Sequence, residues 1–144
     1  MATLRTEPAF FGTTFIEEAA RPPAHFAAVL SASTVFGAFR HDEAVGVVRL
    51  AAAAGAKERH KGSVHGFFVR SDNRRTGAGT ALMHALVANA RERLEQLTLS
   101  VVAENAGAIG LYRRLGFSVY GVEPRARRTS DGYSDLVLMV LRLV

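Results

Sequence analysis

The chain has 144 residues, 49% of them apolar, a formal net charge of +5, a pI of about 10.4 and no cysteine. This length fits one domain, residues 1–144, with a real core, and the missing cysteine excludes disulfides, thiolate metal ligands and a cysteine nucleophile. No apolar run approaches the roughly 20 residues of a membrane span and no signal pattern opens the chain, so the expectation is a cytoplasmic protein without a membrane partner, whose positive charge favours an anionic ligand.

Residues 15–30, FIEEAARPPAHFAAVL, look helical but are cut by Pro22 and Pro23. An interior proline costs about 3 kcal/mol in a helix. Two short helices are therefore expected, the second starting near Pro23. STVFGAF (33–39) and EAVGVVRL (43–50) read as strands joined by the tight turn RHDE. Residues 51–62 read as a strand end and a loop, and SVHGFFVR (63–70) as the next strand. From Gly79 to Leu94 the residues Met83, Leu86, Val87, Ala90 and Leu94 fall at helical spacing. LTLSVV (97–102) is rich in strand formers, and 106–116 reads as a helix closed by Gly116. FSVYGV (117–122) reads as a strand, 123–133 as a polar loop, and DLVLMVLRL (135–143) as a last, buried strand. Strands alternating with helices and ending in a hairpin give an α/β fold with a mixed sheet.

NRRTGAGTA, residues 73–81, stands between a strand and a helix start. Free N–H groups at a helix N-terminus and its dipole suit an anion. Gly77 and Gly79 permit close backbone approach, and Arg74 and Arg75 add permanent charge. The same stretch also reads as a plain glycine turn with solvated arginines. It is neither G-x-G-x-x-G nor a P-loop.

Two patterns narrow the choice. Residues 74–79, RRTGAG, have the form Arg-x-x-Gly-x-Gly, and residues 105–117, NAGAIGLYRRLGF, the form N-x-x-A-x-x-L-Y-x-x-x-G-F. In this order, with a helix and a strand between them, the pair resembles the GNAT acetyltransferase superfamily, over about residues 10 to 142. The resemblance implies a GNAT fold, acetyl-CoA as cofactor, and acetyl transfer to a primary amine of a small molecule or peptide by direct attack in a ternary complex. It implies that the backbone of Phe67, Phe68 and Val69 pairs with the pantetheine amides, and that a strand N–H there stabilises the oxyanion. It places the pyrophosphate on the turn Arg75, Thr76, Gly77, Ala78, Gly79 and Thr80, with Arg74 beside it. It implies that Asn105 lies along the pantetheine arm and that Tyr112 protonates the departing sulfur.

Ordinary structural roles stand beside these. Tyr112 also fits a half-buried core tyrosine, and Asn105 a helix N-cap. Many GNAT enzymes carry a glutamate base where this chain has Ser63 and Ser100. His65 shares a strand face with Ser63 by the period of two, which makes it the candidate base, with a structural histidine as the alternative. His25, His41 and His60 lack metal-ligand spacing, so no metal is expected. PRARR (124–128) reads as a solvated loop rather than a nucleic-acid patch. Without a carboxylate base a low-pKa amine is the easier acceptor: at pH 7 an alkyl ammonium needs roughly 4.6 kcal/mol to lose its proton, an α-ammonium roughly 1. A non-catalytic acetyl-CoA-binding or sensing domain is the alternative function.

The chain departs from the family at its start. MATLRTEPAFFGTTF resembles the end of the family's first helix and the loop after it, so the usual first strand is expected to be missing. The free side of STVFGAF would then be bare, a hazard that natural sheets cover. The expectation is a homodimer across that edge, with residues 1–8 folded back as a substitute strand as the rival.

Overall fold

The computed structural model describes residues 25–30, 33–71 and 77–144. Its strands are β1 (His25–Leu30), β2 (Ser33–Arg40), β3 (Glu43–Ala52), β4 (Lys61–Val69), β5 (Gln96–Val102), β6 (Ser118–Thr129) and β7 (Gly132–Arg142). Its helices are α1 (Ala78–Arg91) and α2 (Ala106–Arg114). The strands form one sheet in the order β1-β2-β3-β4-β5-β7-β6. Every pairing is antiparallel except β4 with β5. No helix among the described residues is long and apolar enough to cross a membrane.

The core is built by the expected alternations. Leu82, Met83, Leu86 and Ala90 are the buried residues of α1, one stripe of a 3.6-residue period. They join one cluster with Val48 and Leu50 of β3, Val64 of β4, Leu97 and Leu99 of β5, and Met139 and Leu141 of β7. Tyr112 of α2 belongs to the same cluster. The turn after β2 has His41 and Asp42 both at positive φ (51° and 66°), which matches the right-handed twist of the flanking strands. Gly116 at φ 103° closes α2 as the sequence suggested.

Two expectations are corrected. Residues 25–30 form a strand, not the second of two helices; residues 15–24 lie outside the described residues. β1 pairs antiparallel with β2, from His25 opposite Ala38 to Leu30 opposite Ser33. A short helix after two prolines has little to nucleate it, whereas β2 offers a row of backbone groups to pair. The sheet edge that motivated the homodimer is therefore occupied within the chain. Val35 and Phe36 of β2 are 1% and 5% exposed without a partner copy.

The polar stretch 123–133 is a hairpin rather than a loop: β6 runs to Thr129 and β7 starts at Gly132. Its register slips between Glu123 and Arg127. There Arg125 takes φ 52° and its N–H donates to Asp135 Oδ1 at 2.9 Å. β6 is an edge strand, where charge and a proline are tolerated and the usual apolar alternation is lost.

Candidate active site

β4 and β5 part company halfway along. They pair in parallel only from Lys61–Gln96 to Ser63–Thr98. Beyond Ser63 no strand among the described residues lies against that side of β4. A bulge turns β4 at this point. Val47 opposes Phe68 and Arg49 opposes His65, so Val48 alone faces Gly66 and Phe67. Gly66 has φ 61°, a left-handed conformation that side chains disfavour, and an added Cβ there would meet nothing within 4 Å. The glycine is therefore required by the backbone and not by crowding.

The split holds two hollows that share Phe67, Asn105 and Ala108. The larger, about 590 Å³, runs from Phe67, Phe68 and Val69 to Gly77, Gly79 and Thr80 at the start of α1, with Arg114 also lining it. Gly77 sits at φ 89° and no side chain caps the helix. The first N–H groups of a helix have no intrahelical acceptor, and among the described residues no side chain meets those of α1. The space in front of Gly77 is open. Gly79 is needed for packing: a Cβ there would stand 2.9 Å from the Phe67 ring. Ala78 packs against the core. Arg74, Arg75 and Thr76 lie outside the described residues.

The smaller hollow, about 270 Å³, brings together His65, Ser100, Asn105, Tyr112 and Arg127. Tyr112 is 6% exposed, with its ring centroid 6.0 Å from that of Phe67 and 5.8 Å from that of Phe117. Burial pushes its phenol up to about 12, which holds the hydroxyl protonated at any working pH. Asn105 is the N-cap of α2, its Oδ1 accepting from the Ala108 N–H at 3.1 Å. It lines both hollows while doing so.

His65 stands on the face shared with Ser63, as the period of two implied, and Ser63 Oγ lies 2.7 Å from its Nε2. Its pKa is lowered, first by partial burial and then by the charge of Arg49. Arg49 is its cross-strand partner and also donates to Ser33 Oγ at 2.9 Å. A lowered pKa leaves the imidazole neutral near pH 7, the form that accepts a proton. A neutral His65 and a protonated Tyr112 thus line one hollow. Arg127 was missed in the chain order, because a cation in a polar run gives no local sign of where its strand will place it.

Among the described residues, a helix start without a side-chain cap lies at one end of the larger hollow, and a strand side without a neighbouring strand borders it.

Comparison with known proteins agrees with the geometry. The model of the Acetyltransferase (GNAT) family matches residues 4–117. The L-methionine sulfoximine/L-methionine sulfone acetyltransferase of Pseudomonas aeruginosa is 38% identical over 88 residues, 60% of this chain and 51% of that protein. The [ribosomal protein bS18]-alanine N-acetyltransferase of Escherichia coli is 38% identical over 74 residues, 51% of this chain and 50% of that protein. The chain thus spans about half the length of the curated relatives it matches. Among solved structures, yncA of Salmonella typhimurium with its cofactor acetyl-CoA superposes with a TM-score of 0.72 at 21% identity, over 78% of this chain and 65% of that one, a likeness of fold.

Proposed function

Since this chain belongs to the GNAT acetyltransferase family, we propose that it is an N-acetyltransferase acting on the α-amine of a small acceptor, by direct attack in a ternary complex. The observation that carries this reading is the split between β4 and β5, with a helix start at one end and His65 and Tyr112 facing one hollow at the other. Acetyl-CoA, when bound, supplies an acetyl group on a thiol leaving group. Its pyrophosphate would be held by the N–H groups of Gly77 to Thr80, with Arg74, Arg75 and Thr76 completing the turn. The backbone of Phe67, Phe68 and Val69 would hold the pantetheine amides, with Asn105 alongside.

His65 then takes the proton of the attacking amine, directly or through water. Tyr112 gives its proton to the departing sulfur, a role its burial supports by keeping it protonated. A strand N–H beside the bulge at Gly66 would donate to the carbonyl oxygen as negative charge develops on it. The acceptor class is supported by chemistry common to both relatives. Methionine sulfone and an alanine residue each offer one amine, the α-amine. Such an amine needs roughly 1 kcal/mol to be neutral at pH 7, a demand that a histidine base meets.

The test is thiol release from acetyl-CoA with a panel of amino acids, peptides and simple amines. Release with an α-amine and not with alkyl amines is expected. Acetyl-CoA binding without release for any acceptor would favour a sensing domain, a reading that the serines at positions 63 and 100 also suit.

A further inference from the structure

Arg127 enters the hollow that holds His65 and Tyr112. The two arginines beside it are otherwise engaged. The Arg125 guanidinium lies 4.1 Å from the centre of the Tyr133 ring and that of Arg128 5.8 Å, with Arg128 Nη2 donating to the Tyr133 hydroxyl at 3.5 Å. Arg127 has no carboxylate partner among the described residues. The register slip before it, pinned by the Arg125 N–H on Asp135, aligns Arg127 opposite Ser134 and sets it apart from that pair.

We propose that Arg127 binds the carboxylate of the acceptor, and that the acceptor is a free α-amino acid rather than a peptide terminus. The proposal rests on the transferase reading of this site and adds the substrate class. In an α-amino acid the carboxylate and the amine share one carbon. A group that binds the carboxylate must therefore stand beside the groups that serve the amine, and Arg127, His65 and Tyr112 line one hollow. A guanidinium suits this task through its paired donors.

Charge points the same way. No acidic side chain is among the described lining of the hollow, and Arg49 lies opposite His65. A peptide terminus or an alkyl ammonium enters such a site as an uncompensated cation, whereas a zwitterion brings its own anion. Size agrees, since about 270 Å³ lies below the roughly 300–1,000 Å³ of sites for drug-sized ligands.

The experiment pairs a set of free L-amino acids, methionine sulfone among them, with their carboxamides and glycine-extended dipeptides. Binding is measured by calorimetry on the protein with CoA, and thiol release from acetyl-CoA in parallel. At least one free amino acid should bind and react roughly 10- to 100-fold better than its amide, the range of a charged hydrogen bond. In Arg127→Gln the two should become equal, mainly through KM. Arg128→Gln should keep the preference. Equal binding of acid and amide by the native protein, a preference surviving in Arg127→Gln, or equal loss in Arg128→Gln would each overturn the proposal. A carboxylate preference in binding without thiol release from any acceptor would leave Arg127 in this role and remove the transferase reading instead.

Discussion

Tyr112 combines two properties that rarely meet in a tyrosine. It is a packed member of the core, and it lines a hollow together with His65. Its phenol, pushed up to about 12, donates a proton and does not compete as an anion. Tyr112→Phe keeps the ring against Phe67 and Phe117 and removes only the acid. The turnover number should fall 10²–10⁴-fold, the usual contribution of general acid catalysis, while calorimetry should find acetyl-CoA affinity nearly unchanged. His65 makes the complementary prediction. Its pKa lies below 6.5, so the neutral form persists to lower pH than in a free histidine. Arg49 lies opposite it, Ser63 is bonded to it, Tyr112 and Arg127 line the same hollow, and none of them supplies a negative charge near neutrality. The value of kcat/KM should hold as pH falls to 6.5 and drop below it. His65→Asn should remove that acidic limb; an unchanged limb would assign it to the amine of the acceptor. The sign for folding is the same. The unfolded chain binds this proton more readily, so the contribution of His65 to stability is full above pH 6.5 and declines as pH falls towards the folded pKa.

At the scale of the elements, the bulge in β4 and the start of α1 shape the site together. Gly66→Ala meets no neighbour, yet it forces a side chain into left-handed backbone. This should cost about 1–2 kcal/mol in urea unfolding, at the bulge that follows the last paired residue of β4 with β5, Ser63. A variant as stable as the native chain would show that the strand finds another register. Gly77→Glu places a carboxylate at the helix start, where the space is open but the backbone at φ 89° is strained by any side chain, so Gly77→Ala, with the same strain and no charge, is its control. Like charge on a diphosphate costs several kcal/mol, so acetyl-CoA affinity should drop at least roughly tenfold by calorimetry. Undiminished affinity would move the diphosphate elsewhere. The turn glycines were visible along the chain because each is a local backbone demand. The glycine inside HGFFV carried the same signal, an isolated glycine in a strand pattern, which marks a bulge.

At the scale of the whole molecule, β1 determines whether the sheet needs a second copy. Its pairing with β2 covers the edge on which a homodimer was expected. Hydrogen exchange should find the amides of β2 protected to the same degree on dilution; protection that grows with concentration would return the edge to a partner copy. The order of β2 to β5 with α1 and α2, the closing role of Gly116, the turn at residues 41 and 42, the paired face of Ser63 and His65, and the two glycine- and tyrosine-bearing patterns are legible along the chain. Each of these depends on neighbours a few residues apart: a period of 2 or 3.6, a φ that only glycine takes freely, a cap. Three features lay beyond that reach. Residues 25–30 became a strand because a distant edge offered partners. The hairpin through residues 123–133 formed despite its polarity because an edge strand needs only one paired side. Arg127 came to line one hollow with His65 and Tyr112 because the fold gathers residues of β4, α2 and β6, far apart in the chain, around it. Local energies of a few tenths of a kcal/mol per residue select elements. Their contacts across the chain depend on which backbone edges and apolar faces remain to be satisfied once the others have paired.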